Sequence, residues 1–140
     1  MKVRFSAAVA VLAALALTAV ATAAVAPGTY KGNVYAGTTK GAAATVVVAG
    51  TKVTITVLKF PIKCLSPSGT YTQVSPPMKY VWQGTLKVNK VAGNYINPLG
   101  GTGEYFTAKG TFTAATKSFA GTLGFAGKCR GTSAVKATKA

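Results

Sequence analysis

The side chains that could carry out covalent chemistry are few in this chain. Its 140 residues include one acidic residue, Glu104, two cysteines, and neither histidine nor aspartate. Paired carboxylates, histidine acid/base catalysis, Ser/His/Asp triads and His/Asp metal sites are therefore excluded. Ser118 follows Lys117 directly, but neighbours in a strand point to opposite faces and do not readily share a proton. We therefore expect no enzymatic activity, no metal site and no cofactor.

The amino-terminal residues are typical of a secretory signal. Lys2 and Arg4 precede an apolar run that extends to Ala26. We expect a signal peptide over residues 1–26 and a secreted domain over residues 27–140. An uncleaved anchor is the alternative, but alanine dominates the run and contributes little to membrane insertion. We therefore expect a secreted or cell-wall-associated protein with no transmembrane span after maturation. We expect the signal to be cleaved after one of three small residues, Ala23, Ala24 or Ala26.

Both cysteines, Cys64 and Cys129, lie beyond the signal. An even number of cysteines in an exported chain favours a disulfide, because the compartment is oxidising. The bond would close a loop of about 65 residues, worth on the order of 4 kcal/mol if loop entropy alone counts. A catalytic or redox thiol is the alternative, but it would lack a histidine base and a C-x-x-C partner.

Beyond Pro27 the sequence is typical of antiparallel β-structure. Short runs rich in Val, Thr, Tyr and Phe are interrupted by glycine about every ten residues. After Val57 the apolar phase shifts by one residue to Leu58, Phe60 and Ile62, which predicts a β-bulge. We expect an all-β fold of about eight strands with one disulfide, either a single antiparallel β-sandwich or a meandering β-barrel, with Trp82 in its core. The predicted strands are Thr29–Ala36, Thr45–Ala49, Lys52–Val57, Tyr80–Asn89, Tyr105–Thr113, Ser118–Phe125 and Thr132–Thr138.

Several short motifs mark the part of the chain beyond the signal. They are Gly28-Thr29-Tyr30-x-Gly32, Leu58-x-Phe60-x-x-x-Cys64, Gly110-x-Phe112, Phe119-x-Gly121-x-Leu123 and Cys129-x-Gly131. In these motifs the chain resembles a group of small exported all-β proteins of unknown function from actinobacteria. The resemblance implies export and a β fold, and it implies no activity.

The charge of the chain is strongly positive. Sixteen Lys and Arg give a net charge of +15, and loss of Lys2 and Arg4 with the signal leaves +13. Such a protein attracts polyanions, which outside a cell are anionic wall polymers and acidic polysaccharides. Nearly all mature cations are lysines, so binding should be diffuse and salt-sensitive. A solubilising lysine coat is the alternative. Nucleic acid is not an expected partner, because the protein is exported and its tyrosines lie in core-forming runs.

Two candidate sites follow from this pattern. A disulfide would draw the cations beside each cysteine into one candidate anion-binding patch, although strand ends also carry exposed lysines for purely structural reasons. This patch comprises Lys59, Lys63, Lys128 and Arg130.

The Pro- and Ser-rich stretch from Leu65 to Lys79 is predicted to be a long loop, which either contacts a partner or folds over the end of the sheet. Its candidate contact residues are Tyr71, Val74 and Met78. The sequence therefore favours a secreted, non-catalytic binding or structural protein that associates with anionic cell-envelope or extracellular polymers. The alternative is a secreted inhibitor or antagonist that uses residues 65–78 to contact another secreted protein.

Overall fold

The computed structural model of the chain describes residues 23–74, 79–96 and 105–140. These residues form ten antiparallel strands and no helix. The strands are β1 (Gly28–Ala36), β2 (Thr39–Ala49), β3 (Lys52–Val57), β4 (Ile62–Leu65), β5 (Tyr71–Val74), β6 (Tyr80–Lys87), β7 (Lys90–Ile96), β8 (Tyr105–Thr113), β9 (Ser118–Ala126) and β10 (Cys129–Lys139).

Eight of these strands close into a barrel. Their order is β1-β2-β3-β6-β7-β8-β9-β10, and β10 pairs in turn with β1 from Tyr30↔Lys139 to Tyr35↔Ala134. The β4–β5 hairpin stands outside the barrel and pairs with the start of β10. The predicted all-β fold is confirmed, and the β1–β10 pairing makes it a barrel rather than a sandwich.

Alternation of side chains builds the barrel wall. In β3, Val53, Ile55 and Val57 are buried, whereas Lys52 is exposed and the threonines between them are half-buried. Successive residues of a strand point to opposite faces, so β-branched residues at every second position fill the lumen. An eight-stranded barrel has an interior just wide enough for side chains to fill.

Two groups of aromatic rings fill the two ends of the lumen. At one end the indole of Trp82 lies 5.1 Å from the ring of Phe60, and its Nε1–H donates a hydrogen bond of 3.0 Å to the Gly124 carbonyl. Tyr80 and Phe125 complete this cluster, with ring centroids 6.2 Å apart. The opposite cluster contains Tyr30, Phe112 and Phe119. Trp82 is fully buried, as the sequence indicates.

The segment after β3 departs from the sequence-based expectation. Because β3 ends at Val57, residues 58–61 are not a bulged strand and the predicted bulge is wrong. They lead from β3 to the edge of β10, past β2 and β1, and place Phe60 against Trp82 with no exposed surface. Leu58 is exposed, while Phe60 and Ile62 are buried. The phase shift therefore marks the segment that crosses from β3 to β4 and covers one end of the lumen. We call that end the crossover end of the barrel.

Three further differences concern the strands. The predicted long loop is wrong for Tyr71–Val74, which pair with β4 as β5. Its sequence carries little alternation, so only pairing with β4 makes it a strand. β7 was not predicted, and β2 begins at Thr39 rather than at Thr45. In both segments glycine and alanine weaken the local signal for a strand, and hydrogen bonding to neighbouring strands compensates.

Residues just before β1 also contact the barrel. Val25 packs against the core, and the Tyr30 hydroxyl donates a hydrogen bond of 2.8 Å to the Ala26 carbonyl oxygen. Cleavage after Ala23 or Ala24 would retain these contacts, whereas cleavage after Ala26 would remove them.

Candidate anion-binding site

A three-stranded ribbon at the crossover end holds most of the residues that the sequence singles out. It consists of β4, β5 and the chain around the start of β10, and we call it the basic ribbon (residues 62–65, 71–74 and 128–131). Cys129 lies opposite Cys64, and Arg130 lies opposite Lys63. On the other edge of β4, Lys63 lies opposite Gln73.

The disulfide fixes which face of the ribbon each side chain occupies. Cys64 and Cys129 are bonded, with an S–S distance of 2.08 Å and a Cα–Cα distance of 4.0 Å, which confirms the predicted pairing. Both are half-buried and pack against the hydrophobic core. Because side chains alternate along a strand, Lys63 and Arg130 point away from the core, and both are exposed.

The outer face of the ribbon therefore concentrates positive charge. Lys63 and Arg130 are like charges at directly opposed positions, an arrangement that destabilises a sheet. The Leu65 N–H donates a hydrogen bond of 2.9 Å to the Lys128 carbonyl, which brings a third cation to the same end. The only acidic residue of the chain, Glu104, lies outside the described residues. No described side chain can neutralise these cations, so an anionic ligand would relieve their repulsion.

An aromatic ring orders one of these cations. The guanidinium carbon of Arg130 lies 3.8 Å from the ring centroid of Tyr71, a cation–π contact. The ring covers one face of the guanidinium, while the in-plane N–H donors at its edge can still engage a carboxylate or phosphate in bidentate fashion. Tyr71 was predicted as a partner contact and Arg130 as an anion contact, and the structure joins the two candidate sites into one.

The remaining predicted residues are Lys59, Val74 and Met78. Lys59 lines a separate depression of about 320 Å³ beside Pro61 and Ser133. Ser133 is 3% exposed, and its hydroxyl has no hydrogen-bond partner. Val74 ends β5 opposite Ile62, and Met78 lies outside the described residues. The structure thus brings together three of the four cations of the predicted patch.

Ser118, the serine directly after Lys117, hydrogen-bonds to a neighbouring hydroxyl rather than to a base. The hydroxyls of Ser118 and Thr116 share a hydrogen bond of 2.6 Å. Lys117, between them, has a left-handed backbone with φ of 47°. The serine hydroxyl therefore has a neutral hydroxyl as its partner, and a hydroxyl is too weak a base to activate a nucleophile.

A second cationic surface was missed by sequence reasoning. On the outside of the barrel, β9, β10 and β1 form a groove of about 460 Å³. We call it the outer groove; its lining includes Lys31, Asn33, Tyr35, Ser118, Lys136 and Thr138. Alternation within β1 already places three of these residues on one face. The missing information was that β10 pairs with β1, since the two strands lie about a hundred residues apart in sequence.

Comparison of the chain with protein-family models, curated proteins and solved structures gives no match. The site is therefore defined by its own geometry, on a closed eight-stranded antiparallel barrel with an appended, disulfide-linked hairpin. Within residues 23–74, 79–96 and 105–140, no helix is both long enough and apolar enough to cross a bilayer.

Proposed function

We propose that this protein is a secreted, non-catalytic binding protein that associates through the basic ribbon with anionic polymers of the cell envelope or the extracellular medium, such as wall polymers or acidic polysaccharides. The observation that carries the proposal is the opposed pair of Lys63 and Arg130, which a disulfide-pinned register holds side by side with no acidic partner among the described residues. A fold without a counter-charge at such a pair favours an anion there.

The chemistry of the ribbon supports a polymer rather than a small anion as the ligand. Its cations are exposed, so each contact contributes little by itself and depends on salt. Several such contacts along one polymer add up, because binding at one point raises the effective concentration at the next. The stacked Arg130 adds a contact of defined geometry among flexible lysines.

The test compares two triple variants that lose the same charge. K63Q/K128Q/R130Q removes the cations of the ribbon, and K52Q/K87Q/K109Q removes three exposed lysines from other strands. Purified wall material or polygalacturonate is titrated with each protein between about 0.05 and 0.5 M NaCl. If each ribbon cation makes one contact, the slope of log K against log salt falls by roughly 3 in the ribbon variant, by analogy with about 0.9 per phosphate contact on DNA. Equal losses in both variants would contradict a role for the ribbon.

A secreted inhibitor or antagonist remains a second candidate, because the ribbon also exposes apolar surface. Leu65 is 48% exposed and lies opposite Tyr71. Tyrosine and arginine are enriched at protein interfaces, where they often dominate the binding energy. Leu65→Ser should abolish binding to such a protein partner at any salt concentration while leaving polyanion binding intact. Wall association that survives 0.5 M NaCl and requires Leu65 would favour this second function.

A further inference from the structure

The outer groove places two lysines where a single anion can reach both. Lys31 of β1 lies opposite Thr138 of β10, and Asn33 lies opposite Lys136. Lys31 and Lys136 are therefore diagonal neighbours, which in antiparallel sheets lie about 7–8 Å apart. No described side chain carries a carboxylate, so no side chain of the described residues neutralises the two positive charges at this spacing.

One of these cations is held in place. The Lys136 ammonium lies 5.4 Å from the ring centroid of Tyr35, a cation–π contact. The ring limits the freedom of a side chain that is otherwise highly mobile, so less entropy is lost when an anion binds it.

The rest of the groove is built of neutral hydrogen-bonding groups and small side chains. Ser118 lies opposite Thr138, and Ala120 lies opposite Lys136. The two hydroxyls can both donate and accept hydrogen bonds. The Asn33 amide is fixed by a hydrogen bond of 3.1 Å from its Nδ2 to the Gly41 carbonyl, with its carbonyl oxygen free of that bond. Small residues at the centre keep the groove open.

We propose that the outer groove binds one acidic sugar unit of a polysaccharide, with the carboxylate or phosphate between Lys31 and Lys136 and the sugar hydroxyls on Ser118 and Thr138. This inference rests on the proposed function, since it names the polymer class as anionic polysaccharide. It adds a second contact on the same strand: Arg130 and Lys136 both face outward from β10, roughly 20 Å apart at about 3.3 Å per residue. One extended chain can bridge the ribbon and the groove.

The experiment measures affinity for three polymers at about 0.1 M NaCl by isothermal titration calorimetry. Polygalacturonate carries sugar and charge, inorganic polyphosphate carries charge alone, and dextran carries sugar alone. K31Q/K136Q is compared with K52Q/K87Q, a control that loses the same charge from exposed positions of β3 and β6. We expect K31Q/K136Q to weaken polygalacturonate binding about tenfold more than the control does. Equal weakening by the two variants would overturn the site.

A second pair of measurements tests recognition of the sugar. S118A/T138V should lower affinity for polygalacturonate at least threefold and leave affinity for polyphosphate unchanged, with thermal unfolding as the check on folding. A parallel fall for both polymers, or no fall for either, would overturn sugar recognition. Tyr35→Leu should weaken binding of both charged polymers while Tyr35→Phe retains it, because the ring positions Lys136.

The outcomes separate this inference from the proposed function. If the wild-type protein binds neither charged polymer, both fail. If K63Q/K128Q/R130Q weakens polygalacturonate binding and K31Q/K136Q behaves like its control, the ribbon stands and the groove is refuted. Dextran should not bind, and dextran binding as tight as that of polygalacturonate would remove the need for the two lysines.

Discussion

Removal of the disulfide should loosen the basic ribbon while the barrel stays closed. The bond joins residues 65 positions apart. Without it the unfolded chain gains conformational entropy, which in the loop-entropy description lowers the free energy of unfolding by about 4 kcal/mol. In the backbone ladder, β4 pairs with β10 at only two positions, Cys64↔Cys129 and Lys63↔Arg130. By contrast, β10 pairs with β9 from Gly131 to Thr138. In C64A/C129A we therefore expect the β4–β5 hairpin to separate from β10 before any barrel strand opens.

Separation of the hairpin changes the expected magnitude. When the hairpin detaches in the native state, it regains some chain entropy there, so the free energy of unfolding falls by less than the full loop term. We expect a loss of about 2–4 kcal/mol in C64A/C129A, measured by guanidinium denaturation. Alanine retains part of the apolar contact that the half-buried cysteines make with the core. Wild-type protein unfolded with a reductant present serves as the matched control.

Hydrogen exchange measured by mass spectrometry locates the change. Peptides covering residues 62–74 should lose protection in C64A/C129A, while peptides covering β6 and β9 keep theirs. The affinity of C64A/C129A for polyanions should also fall, because Lys63 no longer stays beside Arg130 once the hairpin separates from β10. Unchanged protection in residues 62–74 together with a stability loss below about 1 kcal/mol would refute the reasoning. Simultaneous loss of protection in the hairpin and in β6 would show that the barrel depends on the bond.

Three further predictions test the barrel itself. Val88 is 75% exposed and has a φ of 58°, a backbone conformation in which a β-branched residue is strained. We therefore expect Val88→Gly to raise the free energy of unfolding in guanidinium by about 1 kcal/mol, and a loss of stability would contradict this. Gly32→Ala should lower the free energy of unfolding by about 2–3 kcal/mol, because a Cβ there would overlap the Lys136 carbonyl oxygen. In Gly50→Ala the new Cβ meets no neighbour, so the loss should be about 1 kcal/mol, caused by the φ of 60°. Equal losses in the two variants would exclude the close approach at Gly32. Burial raises the pKa of Tyr30 above its ordinary value of 10, so the folded state holds the phenolic proton more tightly than the unfolded state does. The contribution of this group to the free energy of unfolding should be fully present below pH 10 and should be lost as the pH rises beyond it. A Tyr30→Phe protein that loses stability equally steeply would refute this.

The sequence predicts those strands whose side chains alternate without interruption. β8 was predicted with its boundaries, β9 to within one residue at its end, and β3 from its start at Lys52, although a bulged continuation was expected beyond Val57. Each alternates strongly between apolar and polar residues or pairs with its neighbour through a short turn. β5 and β7 carry weak alternation, and the partners they require, β4 and β8, fix them as strands. A strand whose local preference is weak is set by its neighbours in space, which a single sequence does not list.

The candidate site divides in the same way. Lys63, Lys128 and Arg130 could be placed together from the sequence because a covalent bond between two cysteines fixes their neighbourhood. The stacking of Tyr71 on Arg130 could not, since it depends on β5 pairing with β4 in one particular register. The outer groove was equally hidden, because it exists only where the first and last strands of the barrel meet.

By itself the amino-acid sequence determined the β-structure, the positive charge, the absence of histidine and aspartate, and the pairing of the only two cysteines. These follow from residue types and from a two-residue period, which act over short distances along the chain. Only the tertiary structure decided that the sheet closes, that Phe60 caps its lumen, and which cations become neighbours. Closure brings together strands about a hundred residues apart, and such contacts depend on register and packing in three dimensions rather than on any local pattern.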